Sequence, residues 1–143
     1  MNVLILTICA VGLLAFNPRV VYPCSCVYGS PRQERKKAKA VFVGQVVEVY
    51  SGSGRDDYPA IAELKVERYW KGIKKSETIE VLSDMGLHSC RAVLYKKGAR
   101  YIVYAFEDKG SLVTHGCTRT REIEEAAEDL KELGEGKILK ASE

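Results

Sequence analysis

The chain has 143 residues, of which 46% are hydrophobic and 29% charged. That length suits one domain, and that balance supports a packed core and excludes wholesale disorder. The net charge is 22 − 19 = +3, too small for charge alone to mark a nucleic-acid binder, so no nucleic acid is expected as a partner.

Val3 to Phe16 is an uncharged apolar run of 14 residues. It falls short of the roughly 20 residues that cross a membrane and matches the apolar stretch of a secretory leader. Residues 1–23 are therefore the expected signal peptide, which would carry Cys9 away with it. Two cuts compete. A cut after Pro23 puts Val21 and Pro23 at −3 and −1 and exposes Cys24. A cut after Ala15 places a small residue at −1 and leaves Phe16 to Pro23 ahead of Cys24. The product is expected to be secreted and extracellular, without membrane attachment after cleavage. Removing 1–23 leaves 143 − 23 = 120 residues, read as one domain over 24–134 and a polar, frayed tail over 135–143.

Ser30-Pro31-Arg32-Gln33 predicts a helix start, with Ser30 as cap, Pro31 at the first helical position and Gln33 closing a capping box. The helix, about Pro31 to Ala38, is basic: Arg32, Arg35, Lys36 and Lys37, with Lys39 beyond it. Ala40 to Tyr50 reads as a strand, and Gly44 inside it predicts a bulge or a close backbone approach. Ala60 to Trp70 alternates, with Ala60, Ala62, Leu64, Val66 and Trp70 on one face and only Arg68 breaking it. Thr78 to Leu82, Arg100 to Phe106 and Leu112 to Thr114 follow as strands, the last two joined by a tight turn at Asp108-Lys109-Gly110. Thr120 to Leu133 has helical spacing and Gly134 is placed to end it. Five strands with two flanking helices predict a mainly β protein, a five-stranded antiparallel OB-fold barrel.

Beyond the leader stand Cys24, Cys26, Cys90 and Cys117. An even count in a secreted chain points to disulfides. A Cys24–Cys26 bridge would be strained, which leaves two pairings, each tying one member of Cys24-Ser25-Cys26 to each distal cysteine. A zinc site formed by these cysteines with His88 and His115 is the rival. The Cys-x-Cys spacing is atypical for it, and the oxidising compartment favours bridges.

Several segments, in order, resemble the N-terminal, netrin-like domain of the tissue inhibitors of metalloproteinases. They are Cys24-Ser25-Cys26-Val27, Val41-Phe42-Val43-Gly44, Tyr69-Trp70-Lys71-Gly72, Tyr101 to Ala105 and Leu112 to Cys117. The resemblance spans about Cys24 to Leu133. It implies bridges Cys24–Cys90 and Cys26–Cys117, and a zinc metalloendopeptidase as partner. It also implies that the free amine and carbonyl of Cys24 chelate the partner's catalytic zinc, filling the position of the attacking water. An α-amine titrates near 7.7–8.0, roughly, so shedding its proton near neutral pH costs little. Ser25 would point into the specificity pocket, Cys26, Val27 and Tyr28 would follow the cleft, and His88 and Ser89 would extend the contact ridge. Two departures stand out: no cysteines remain for the third bridge of the animal inhibitors, and Ser89 replaces an apolar residue before Cys90.

An enzyme is not expected, because neither histidine stands in a nucleophile–base pattern. No cofactor is expected either; Gly52 and Gly54 precede no helix and cradle no phosphate. The alternative is a non-inhibitory secreted OB-fold module for binding or adhesion to glycans or proteins. Its carriers would be the basic run Arg32 to Lys39, facing an anionic glycan, or a stacking platform of Tyr69, Trp70, Tyr101, Tyr104 and Phe106.

Overall fold

A computed structural model describes residues 26–51, 60–74, 77–83 and 92–139. Helix α1 (Pro31–Lys37) leads into β1 (Ala40–Ser51), β2 (Ala60–Lys71), β3 (Thr78–Ser83), β4 (Arg100–Asp108) and β5 (Ser111–Thr114). A two-residue strand β6 (Arg121–Glu122), a 3-10 turn (Ile123–Glu125) and helix α2 (Ala127–Leu133) follow. The expected leader lies outside the described residues, and among those described no helix is long and apolar enough to cross a membrane.

The strands run β1-β2-β3-β5-β4, and β4 pairs back onto β1, closing a five-strand barrel. Four seams are antiparallel, but β3 and β5 run parallel through Leu82–Val113 and Ser83–Thr114. The expectation of an antiparallel barrel is corrected at this seam. The reason is topological: strand directions cannot alternate all the way around a closed ring with an odd number of members.

Gly44 sits where the β1–β2 register slips. A Cβ there would lie 3.0 Å from the Lys65 carbonyl and 3.2 Å from the Leu64 Cβ, so a side chain would have to push the facing strand back slightly, and glycine lets the two backbones approach closely. In that slip Val43 pairs with Arg68 and Gly44 with Val66, leaving Glu67 as an extra residue in β2. An extra residue inverts the facing of everything beyond it. Tyr69 consequently packs on the barrel interior, and Trp70, expected on the inner face, packs on the outside. At the β4–β5 hairpin, Lys109 and Gly110 both take positive φ (48° and 82°), the primed geometry that matches strand twist.

Two cores share β1 and β4. The barrel interior holds Phe42, Val46, Leu64, Val81, Tyr101 and Val103, all buried. The outer face of the same strands presents Val41, Val43, Ile102 and Tyr104 to Ala126 and Leu133. Tyr101 and Tyr104 thus face opposite cores, which removes the stacking platform considered from sequence.

The predicted helix from Thr120 begins only at Ala127. Arg121 and Glu122 pair with Ile102 and Tyr101 of β4, and the Thr120 Oγ1 accepts the Tyr104 N–H at 2.9 Å. Bonds to a strand edge take the place of the first helical turns. The expected fraying of the tail is corrected for its first residues. Lys137 exchanges backbone hydrogen bonds with Tyr69 (2.7 and 2.8 Å), and Leu139 packs on the barrel core.

Candidate functional site

The strip Cys26 to Ser30 leads into α1, whose capping box forms as expected. The Ser30 Oγ accepts the Gln33 N–H (3.4 Å), and the Gln33 Oε1 accepts the Ser30 N–H (2.9 Å). Ahead of the cap, contacts remote in sequence hold each residue except Val27. Cys26 is disulfide-bonded to Cys117, 91 residues away, with Cα atoms 5.2 Å apart. The Tyr28 hydroxyl donates to the Gly116 carbonyl at 3.3 Å, and the Arg121 guanidinium stands 5.8 Å from the ring centroid. The Gly29 N–H donates to Glu34 Oε1 (3.0 Å), and its carbonyl accepts from Arg119 (3.1 Å). Between these anchors Val27 is 95% exposed.

Arg119 is the hub. Its side chain is 6% exposed, and its guanidinium binds Asp129 through Nε at 2.7 Å and Nη2 at 3.1 Å, and reaches Glu128 at 2.7 Å. Asp129 is fully buried and also accepts from the Tyr104 hydroxyl at 2.8 Å. Burial, then the bond to Asp129, pushes the Tyr104 phenol well above its ordinary range, so it remains a donor. The Asp129 hydrogen bond raises the Arg119 guanidinium above the arginine range. The Arg119–Asp129 ion pair is thereby matched by further hydrogen bonds, the condition under which a buried pair is tolerated.

The loop that receives the strip is also ordered. The His115 Nδ1 accepts the Cys117 N–H at 3.2 Å, its carbonyl accepts from Thr118 N (2.9 Å) and Oγ1 (2.9 Å), and its ring stacks on Phe106. Cys26 and Cys117 are therefore committed to a bridge rather than to zinc. Among the described residues no group of three His, Cys, Asp or Glu side chains is arranged to hold a metal ion.

Of the residues singled out from sequence, the structure brings together Cys26, Tyr28, His115 and Cys117, with Val27 exposed between its anchored neighbours. Cys24, Ser25, His88, Ser89 and Cys90 lie outside the described residues, and so does the expected Cys24–Cys90 bridge. Sequence reasoning passed over Arg119, Asp129 and Tyr104 as a unit. One signal was available: Asp129 stands three residues after Ala126 and four before Leu133, a carboxylate on the apolar stripe.

No known protein-family model matches the chain, and no curated protein matches it.

Proposed function

We propose that the chain is a secreted inhibitor of zinc metalloendopeptidases, built on an OB-fold of the netrin-like kind. The support for the fold is the closed ring β1-β2-β3-β5-β4-β1 with its parallel β3–β5 seam, flanked by one short helix and one C-terminal helix. The observation that carries the function is Val27. An exposed valine stands on an extended strip fixed by a disulfide on one side and by Tyr28 and Gly29 on the other. An isolated exposed apolar side chain is ordinary; one held rigid at both sides is preorganised for a cleft, which lowers the ordering cost of binding.

In this reading Val27 and Tyr28 lie along the protease cleft. Cys24, two residues before the anchored Cys26, offers its amine and carbonyl to the protease's zinc, and Ser25 enters the specificity pocket. Arg119 and Asp129 act as positioning residues that hold the Gly29 carbonyl and hence the exit of the strip.

The test is direct. Intact mass of the secreted protein is expected to place Cys24 first, and inhibition of a panel of zinc endopeptidases is expected to vanish when one alanine is inserted before it, with the melting midpoint unchanged. Inhibition that survives the insertion, or a product that begins at Phe16, would overturn the mechanism.

A further inference from the structure

The basic run ahead of β1 divides into two classes once folded. Lys37 is paired with Glu34 at 2.9 Å, and Lys39 is paired with Glu107. Arg32, Arg35 and Lys36 stand at i, i+3 and i+4, on one face of α1. With Lys71, the last residue of β2, they line a surface concavity of about 490 Å³.

The chemistry of this lining is uniform. Among the described residues its four side chains are all cationic and none is aromatic. Neither Arg35 nor Lys36 has a carboxylate partner among the ion pairs of the described residues. The Lys71 ammonium donates to the Arg35 and Lys36 carbonyls at 3.1 and 2.8 Å. It thereby neutralises the negative end of α1 and keeps one of its three donors in reserve. The Arg32 Nε donates to the Glu132 carbonyl at 3.2 Å, and its N–H stands 3.4 Å from Glu132 Oε2, which makes Glu132 the acid at the rim. The two guanidinium forks at Arg32 and Arg35 suit oxyanions that accept two parallel bonds.

We propose that this concavity binds a linear sulfated glycan through Arg32, Arg35, Lys36 and Lys71. Three observations select that ligand among polyanions. The cations are spaced along a helix face and continue onto a strand end, which fits a chain of charges better than one ion. A lining without aromatic rings offers bases nothing to stack on. The Cys26–Cys117 disulfide belongs to an oxidising compartment, where sulfated glycans are the abundant polyanion. The site shares no residue with the Cys26–Gly29 strip, so it stands whether or not the chain inhibits a protease.

The experiment measures binding of a fluorescent heparin decasaccharide to the full secreted protein at about 0.15 M salt. Saturable binding that weakens as salt rises is expected. The double variant R35Q/K36Q is expected to lose about tenfold in affinity, whereas K37Q/K39Q, with the same charge change, stays within about twofold of the parent. Melting midpoints confirm that both variants are folded. Equal losses in the two variants would reduce the effect to net charge and overturn the site. So would the absence of saturable binding, equal affinity for double-stranded DNA of matched charge, or full competition by inorganic sulfate at matched ionic strength.

Discussion

The inner and outer faces of β1 and β4 are both buried, yet they are put together differently. The barrel interior is almost entirely apolar, with Phe42, Leu64 and Val103 at its centre; among the described residues its polar groups include the Tyr101 and Tyr95 hydroxyls, which reach Leu94 and Thr114, and the Ser83 hydroxyl, which donates to the Val93 carbonyl. The outer face combines apolar contacts with an ionic network, Tyr104–Asp129–Arg119, that ends on the Gly29 carbonyl. Apolar burial is non-directional and tolerates small shifts, whereas a guanidinium bonded to two carboxylates and one carbonyl fixes a position. The inner core accounts for the existence of the barrel. The outer network accounts for where the strip sits on it.

Breaking each element separates these roles. Replacing Cys26 and Cys117 by serine opens a 91-residue separation and is expected to lower stability by about 4–5 kcal/mol, read from denaturant unfolding. Phe42→Ala is next, at about 3–5 kcal/mol. Hydrogen exchange should show the strip and the barrel losing protection together, since the whole domain unfolds. Asp129→Ala leaves Arg119 buried without its main partner and is expected to cost about 3–5 kcal/mol as well. Its signature differs: exchange at Gly29 and Ser30 should rise more than exchange in β1 or β4. Uniform acceleration would remove the distinction between the two cores.

Alkaline titration sharpens the same contrast. Burial raises Tyr104 on the outer face and Tyr95 in the barrel above the ordinary value of 10.0. Below pH 10 both are neutral, folded or unfolded, and their contribution is intact. Above it the unfolded chain releases the protons and the folded chain keeps them. Stability should therefore fall as pH rises past about 10, by about 1.4 kcal/mol per pH unit for each tyrosine. Tyr95→Phe should shallow that slope and leave strip protection alone, whereas Tyr104→Phe should shallow it and loosen the strip. The smallest effect belongs to Ser30→Ala, which removes the α1 cap for about 1 kcal/mol and tests whether the strip depends on the helix at all.

The regular elements were legible because their signals are local. Ser30-Pro31-Arg32-Gln33 contains all the atoms of its capping box, and the β-branched run at Ala40 to Tyr50 declares a strand without reference to its neighbours. Legibility failed where a partner decides. Trp70 looked inward by counting, but the extra residue at Glu67 reversed its direction, and that residue is extra only relative to the facing β1. Thr120 to Glu122 looked helical, but the edge of β4 offered their backbone hydrogen bonds outside a helix.

The candidate site divides in the same way. The cysteines, the glycine between Tyr28 and Ser30, and the unusual carboxylate Asp129 on an apolar stripe were all visible in the sequence. What faces Gly29 follows only from the fold, where a Cβ would meet Glu34 Oε1 at 2.6 Å and displace the carboxylate that accepts the Gly29 N–H. The sequence by itself determined the elements, their order and the presence of a cross-linkable framework, because propensity, capping and alternation act over a few residues. The tertiary structure decided the parallel seam, the facing of Tyr69 and Trp70, which lysines of the basic run are neutralised, and the hold of Arg119 on the strip. Apart from the Lys37–Glu34 pair, three residues apart, these depend on contacts between residues far apart in sequence, up to 90 positions for Arg119 and Gly29, and no local pattern encodes such a distance.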